Sequence, residues 1–256
     1  MPAFTSYEPG TPSWVDHATK DLASSSAFYA ALFGWEADDQ GEDMGHYTIN
    51  RKAGSSVAGD MATMSPEQPC VWTTYVSVVD ADATIELVKQ AGGMVFMEPM
   101  DVSDIGRMAV FADPTGAAIG LWQPKTFIGA ELANEAGSLV WNELNSRDLP
   151  TAKAFYSKVF GWEPYDVEME GMGYTEVKLG DKTIAGMMAM PDMVPDHVPS
   201  HWLVYFGVED TDAAVAKATE LGATTLVPPT EIPPGRFAVL ADPDGATFAV
   251  IALAAT

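Results

Sequence analysis

The sequence predicts an α+β protein of four βαβββ units, arranged as two homologous halves. Three observations lead there. An internal repeat runs through most of the 256 residues, helical and strand periodicities alternate in the same order in each half, and an Asp-Pro-x-Gly turn recurs near the end of each. Residues 14–36 lie over 141–163 at a constant offset of 127, with 10 identities in 23 positions. DLASSSAFYAALFGWE thus sits over DLPTAKAFYSKVFGWE, Tyr47-Thr48 over Tyr174-Thr175, and Ala58-Gly59 over Ala185-Gly186. The offset becomes 130 at Asp80/Asp210, Asp82/Asp212 and Gly92/Gly222, then 129 where GRMAVFADPTGAA matches GRFAVLADPDGAT. Two domains of ordinary size follow, 10–124 and 137–254, joined around residues 123–137.

Each element has a local reason. Residues 14–19 read as a short strand, and Asp21 is a good N-cap for a helix that places Leu22, Phe28, Tyr29, Leu32 and Phe33 at helical spacing. Gly34 suits the position just past its end. Strands are expected near 44–50 and 56–62, followed by 71–79, a run rich in β-formers. A second helix starts at Asp80, uses Ala81, Ile85 and Val88, and stops at Gly92-Gly93. Strands follow near 93–97, 106–112 and 117–122, the last two joined by Asp113-Pro114-Thr115-Gly116 in the residue order of a type I turn. Asp242-Pro243-Asp244-Gly245 repeats that turn.

Composition narrows the partners. Apolar residues make up 47% and charged residues 19%, enough for a full core. Asp and Glu number 36 against 13 Lys and Arg, a net charge of −23 that repels nucleic-acid backbones and anionic lipid. No nucleic-acid or membrane partner is expected. Cys70 is the single cysteine, so no internal disulfide forms. No apolar leader stands in the first twenty residues and no apolar run approaches the ~20 residues that span a bilayer, so the expected location is the cytoplasm.

The strand, the Asp-Leu-x5-Phe-Tyr-x3-Phe-Gly-Trp helix and the closing Asp-Pro-x-Gly hairpin together resemble the vicinal oxygen chelate superfamily of glyoxalase I, bleomycin-resistance proteins and extradiol dioxygenases. The likeness covers nearly the whole chain and is nearest to the tandem two-domain members, with mycobacterial and streptomycete representatives. It implies two glyoxalase-like domains, each a U-shaped mixed sheet around a ligand cleft. It also implies a divalent metal, held by a His seven residues before the helix-opening Asp and a Glu four residues after the turn Gly. Carried over, those positions are Trp14, Trp141, Thr73, Leu203, Gly120 and Ala249, none of which ligates a metal. No metal and no cofactor is therefore expected.

Strand alternation puts Asp16 and Ala18 on the face of Trp14, and Glu143 and Asn145 on the face of Trp141. Tyr75 and Tyr205 share the face of Thr73 and Leu203, and Trp122 that of Gly120. The result is an aromatic-lined cleft with few polar groups, the usual make-up of a small-molecule pocket. Arg107 and Arg236 occupy equivalent positions and are candidates to bind a carboxylate or phenolate, or else to brace the hairpin, even to Asp16 and Glu143. Asp16 and Glu143 are the candidate general bases if the protein turns its ligand over. Phe28, Tyr29, Trp35, Phe155, Tyr156 and Trp162 read as core, and His17, over Leu144, as facing the helices. His197 and His201 flank Pro199 and lie outside any regular helix. The expectation is a metal-independent binder of a flat aromatic or polyketide-like metabolite, a monomer with an internal pseudo-dimer. The alternatives are an accessory lyase, isomerase or hydroxylase-like enzyme, and a metal-dependent glyoxalase or dioxygenase with unusual ligands.

Overall fold

The computed structural model describes residues 3–169, 172–192 and 194–254. In the first half, β1 (Pro12–Thr19) leads into α1 (Leu22–Phe33), followed by β2 (Glu36–Asp39), β3 (Thr48–Lys52) and β4 (Ser55–Ala62). The second unit repeats this with β5 (Val71–Ser77), α2 (Ala81–Gln90), β6 (Met94–Val102), β7 (Gly106–Ala112) and β8 (Ala118–Pro124). The other half follows suit: β9 (Leu139–Ser146), α3 (Leu149–Phe160), β10 (Glu163–Met169), β11 (Met172–Leu179) and β12 (Lys182–Ala189), then β13 (His201–Gly207), α4 (Thr211–Glu220), β14 (Thr224–Ile232), β15 (Gly235–Ala241) and β16 (Thr247–Leu253). The periodicity argument misses β2, because its four residues, Glu-Ala-Asp-Asp, are all exposed on a sheet edge and carry no apolar signal.

The predicted caps do their work. Asp21 accepts from Ser24 N–H, Asp80 from Ala83, Asp148 from Thr151 and Asp210 from Ala213, and Gly34 and Gly161 close α1 and α3 in the left-handed region. Each half forms one mixed eight-stranded sheet, ordered β2-β3-β4-β1-β5-β8-β7-β6 and β10-β11-β12-β9-β13-β16-β15-β14. The central pairs β1–β5 and β9–β13 are antiparallel, while β1–β4, β5–β8, β9–β12 and β13–β16 are parallel. The units therefore pair within each half. No helix among the described residues is long and apolar enough to cross a membrane.

The cores obey a different rule. On the helix-covered faces, one core joins Ile85, Val88 and Phe111 of the first half to Phe155, Tyr156 and Trp162 of the second. The other joins Phe28, Tyr29, Trp35 and Trp72 to Phe206, Leu240 and Phe248. The seam is sealed by reciprocal hydrogen bonds. Trp35 Nε1 donates to Gly137 O and Trp162 Nε1 to Gly10 O, both at 2.7 Å. The Tyr29 hydroxyl donates to Asp242 at 2.9 Å, Tyr156 faces Asp113 across the seam, and Trp72 and Trp202 donate to the two tyrosine hydroxyls at 3.0 and 2.8 Å.

One unfolding transition is expected in urea, reported identically by tryptophan fluorescence and far-ultraviolet circular dichroism, because neither core is complete within one half. Trp162→Phe leaves the buried Gly10 carbonyl unpaired and should lower global stability by about 1–3 kcal/mol. Two separate transitions, with only one shifted, would contradict the shared core.

Candidate functional site

On the face of each sheet turned away from the helices, the register aligns Trp14, Tyr75 and Gly120 in one row across β1, β5 and β8. Trp141, Tyr205 and Ala249 form the same row across β9, β13 and β16. Trp14, Tyr75 and Trp122 cluster with Ile49, and Leu203, Tyr205, Ala249 and Ile251 with Val239. Trp141 is partly buried against that second cluster.

Each row is completed by a tyrosine that the sequence argument left unassigned. Trp14 Nε1 donates to Tyr47 Oη at 2.8 Å, and Trp141 Nε1 to Tyr174 Oη at 2.9 Å. Tyr47 donates in turn to Asp16 at 3.5 Å and Tyr205 to Glu143 at 2.9 Å, with Tyr75 beside Asp16 and Tyr174 beside Glu143. Asn145 stands beside Glu143. Both tyrosines need a neighbouring glycine. A Cβ at Gly59 would stand 2.0 Å from Tyr47 Oη, and one at Gly186 1.8 Å from Tyr174 Oη. The signal was in the repeat, since Tyr47 and Gly59 recur as Tyr174 and Gly186.

Burial pushes the Asp16 carboxyl up to about 7, against the pull of its tyrosine hydrogen bonds. Burial raises Glu143 in the same way. The four phenols Tyr47, Tyr75, Tyr174 and Tyr205 are pushed above the usual tyrosine range, by burial first and then by the adjoining carboxylate, so they act as neutral hydroxyl donors.

The arginines require a correction. Arg107 and Arg236 do not reach either cleft. Met108 and Val110 turn towards it, so Arg107 lies on the opposite face with Ala109 and Phe111. There Arg107 makes a two-pronged pair with Asp82 of α2 at 2.8 and 2.9 Å, and Arg236 does so with Asp212 of α4 at 2.6 and 3.0 Å. They brace helix to sheet and touch neither Asp16 nor Glu143. His201 Nδ1 stands 2.9 Å from Pro199 O, and no group of three metal-binding side chains occurs among the described residues.

The two clefts differ in cover. Phe127, on the link between the halves, packs edge-on to Trp14 at 5.0 Å and to Trp122 at 6.0 Å, and its carbonyl accepts from Trp122 Nε1. Gly129 lets the link turn inward, with φ at +107° and Ser13 O so near that a Cβ would stand 2.3 Å from it. Trp14 is 4% exposed as a result. Trp141 remains partly exposed, and among the described residues no aromatic ring packs on it.

With this geometry in view, the kinship is clear. Residues 12–121 and 138–250 match the Glyoxalase/Bleomycin resistance protein/Dioxygenase superfamily, and the chain belongs to that superfamily. It is 44% identical over 259 residues to the putative glyoxylase CFP32 of Mycobacterium tuberculosis, covering 98% of both chains. It is 39% identical over 266 residues to the anthracycline biosynthesis protein DnrV of Streptomyces peucetius, covering 97% of this chain and 95% of that one. The fold matches the Mn(II)-bound glyoxalase of Novosphingobium aromaticivorans with a TM-score of 0.65 at 17% identity, covering 95% of this chain and 82% of the other. A 2,2',3-trihydroxybiphenyl 1,2-dioxygenase of Sphingomonas wittichii also matches at 0.65, with 14% identity and coverage of 95% and 90%.

The residues here do not fit the metal that this kinship implies. At Gly120, where a glutamate ligand is expected, a Cβ would stand 2.2 Å from the Tyr75 ring, so the ring fills that place. What remains on each side is one carboxyl group, two neutral phenols and an indole, joined in the first half by the second indole of Trp122, a hydrogen-bonding set rather than a divalent-cation cage.

Asp16 gives a test by pH. Its folded value of about 7 lies above the unfolded 3.8, so the folded state holds the proton more tightly. The contribution of Asp16 to stability is then greatest below about 4 and falls as pH rises towards 7. Asp16→Asn should remove this loss and make the protein more stable than the wild type at neutral pH, by at most roughly 4 kcal/mol. Equal pH dependence in urea melts of the two proteins would show that Asp16 is not held neutral.

Proposed function

We propose that the protein binds a small, flat aromatic metabolite in the cleft formed by the indole, two tyrosines and carboxyl group, without a metal. The observation that carries this reading is the replacement itself. In both halves an aromatic hydrogen-bonded set stands where the superfamily's ligands would stand. An indole offers a broad flat surface worth ~0.5–1.5 kcal/mol in stacking beyond area burial. The carboxyl group, two residues along the strand, can hydrogen-bond a polar group of the ligand. One relative, DnrV, is an anthracycline biosynthesis protein, which supports a polycyclic aromatic ligand. The reading includes a monomer whose halves act as an internal pseudo-dimer. It also includes a cytoplasmic location, where the lone thiol of Cys70 stays reduced.

A second reading has one specific observation behind it. A carboxyl group held near 7, as Asp16 is, suits a general base at neutral pH, and Glu143 is raised in the same direction. On this reading the protein is an accessory enzyme, and Asp16→Asn or Glu143→Gln abolishes turnover while binding survives.

Tryptophan-fluorescence titration with aromatic polyketide and dicarbonyl candidates tests the binding reading, and recovery of the ligand unchanged separates sequestration from turnover. Trp14→Ala or Trp141→Ala, whichever removes the indole of the occupied cleft, should weaken binding tenfold or more, a loss of ~1.4 kcal/mol. If both variants fold and bind like the wild type, the indoles are plain core and the reading fails.

A further inference from the structure

Each cleft holds a buried carboxyl group on an aromatic floor, and among the described residues no cationic side chain pairs with either at the cleft. The arginines are engaged elsewhere: Arg51 with Asp38, Arg107 with Asp82, Arg236 with Asp212, and Arg147 with the carbonyls of Val194, Pro195 and Val198. Lys178, on the strand that carries Tyr174, pairs with Glu176 and lies 4.1 Å over the Tyr165 ring. The first cleft is closed by Phe127, whereas Trp141 at the second is partly exposed. The second cleft is also the more polar. Asn145 stands where the first has Ala18, and His201 pairs across the strands with Asn145 where the first half has Val71 beside Ala18.

We propose that the second-half cleft binds one organic cation per chain, an arylmethyl-type amine whose ammonium group pairs with Glu143 while its planar ring system lies against Trp141. The proposal rests on the reading of the cleft as a small-molecule site. An ionised carboxylate that is 93% removed from solvent is costly unless an opposite charge meets it, and the protein supplies none. An ammonium group has three N–H donors and no acceptor. Around Glu143 stand matching acceptors: its own oxygens and the hydroxyl oxygens of Tyr174 and Tyr205. Indole and phenol rings also attract cations through their faces. The net charge of −23 draws cations towards the whole surface, and Glu143 gives that attraction a destination. A neutral hydroxyl would satisfy one acceptor and leave the charge unmet.

Two probes decide the matter: 9-(aminomethyl)anthracene and 9-(hydroxymethyl)anthracene, which share a ring system and differ in one group. They are titrated into the full chain by calorimetry and tryptophan quenching. The amine should bind at one molecule per chain and at least tenfold more tightly than the alcohol. Glu143→Gln should bring the two affinities together. In the wild type the preference should shrink as pH falls and Glu143 takes a proton, and this series decides if the variant does not fold. Equal affinities, or a preference that survives both Glu143→Gln and acid, overturn the amine assignment but leave the cleft reading standing, provided Trp141→Ala still weakens both probes. If a folded Trp141→Ala binds both probes as the wild type does, or the wild type binds neither, the cleft reading falls as well. Two molecules of amine per chain would overturn the single open site.

Discussion

The structure depends on an exchange across the seam between its halves. A tyrosine on the first helix of each half turns towards the turn aspartate of the other: Tyr29 donates to Asp242 at 2.9 Å, and the Tyr156 phenol, raised by burial first, lies close enough to Asp113 for that carboxylate to raise it further. Each aspartate also ties its own hairpin, since Asp242 Oδ1 accepts from the amides of Asp244 and Ala246, and Asp113 Oδ1 from those of Thr115 and Ala117. One carboxylate thus fixes a turn, orients a strand pair and docks the opposite helix. Because the helix faces meet each other, the opposite faces of both sheets are released from core duty. That is what frees Trp14, Trp141 and their neighbours to form the candidate sites on those faces.

The two halves solve the same burial problem differently. Beside β1 the first half buries His17, Ser25, Asn50 and Asp60. His17 Nδ1 stands 3.0 Å from Ser25 and 3.3 Å from Asp60, and Asn50 donates to Asp60 at 2.8 Å. Across the seam His17 Nε2 lies 3.2 Å from Asp242. At the equivalent positions the second half has Leu144, Ala152, Val177 and Met187, all fully buried. All four positions differ together, as they must. A buried polar group without its partners costs more than either complete solution.

Much of this was legible in the chain. The caps Asp21, Asp80, Asp148 and Asp210 and the paired turns were readable because local chemistry dictates them. The metal positions were readable as empty of ligands because side-chain identity alone decides that. Arg107 and Arg236 were misplaced because a shared repeat position says that two residues do the same work, but not on which face. One step of strand parity, against Met108 and Val110, separates cleft from helix. Tyr47 and Tyr174 were visible as repeats, yet their role depends on a ring crossing the glycine of a neighbouring strand, which no spacing within one strand reveals. The link was invisible in another way. Nothing in residues 123–137 announces that Phe127 folds back over the first cleft, since that contact is set by where β8 ends relative to β1.

The crossed cores also shape how the chain is made. A ribosome delivers the whole first sheet with its helices while Phe28, Tyr29, Trp35 and Trp72 still lack Phe206, Leu240 and Phe248, which lie far downstream. For most of synthesis the nascent first half carries a broad aromatic surface with no partner, and sheet edges beside it. The period of greatest aggregation risk therefore falls before the final strands, β15 and β16, emerge. Truncation late in the message, or a pause there, exposes that surface for longer than any substitution in the clefts would.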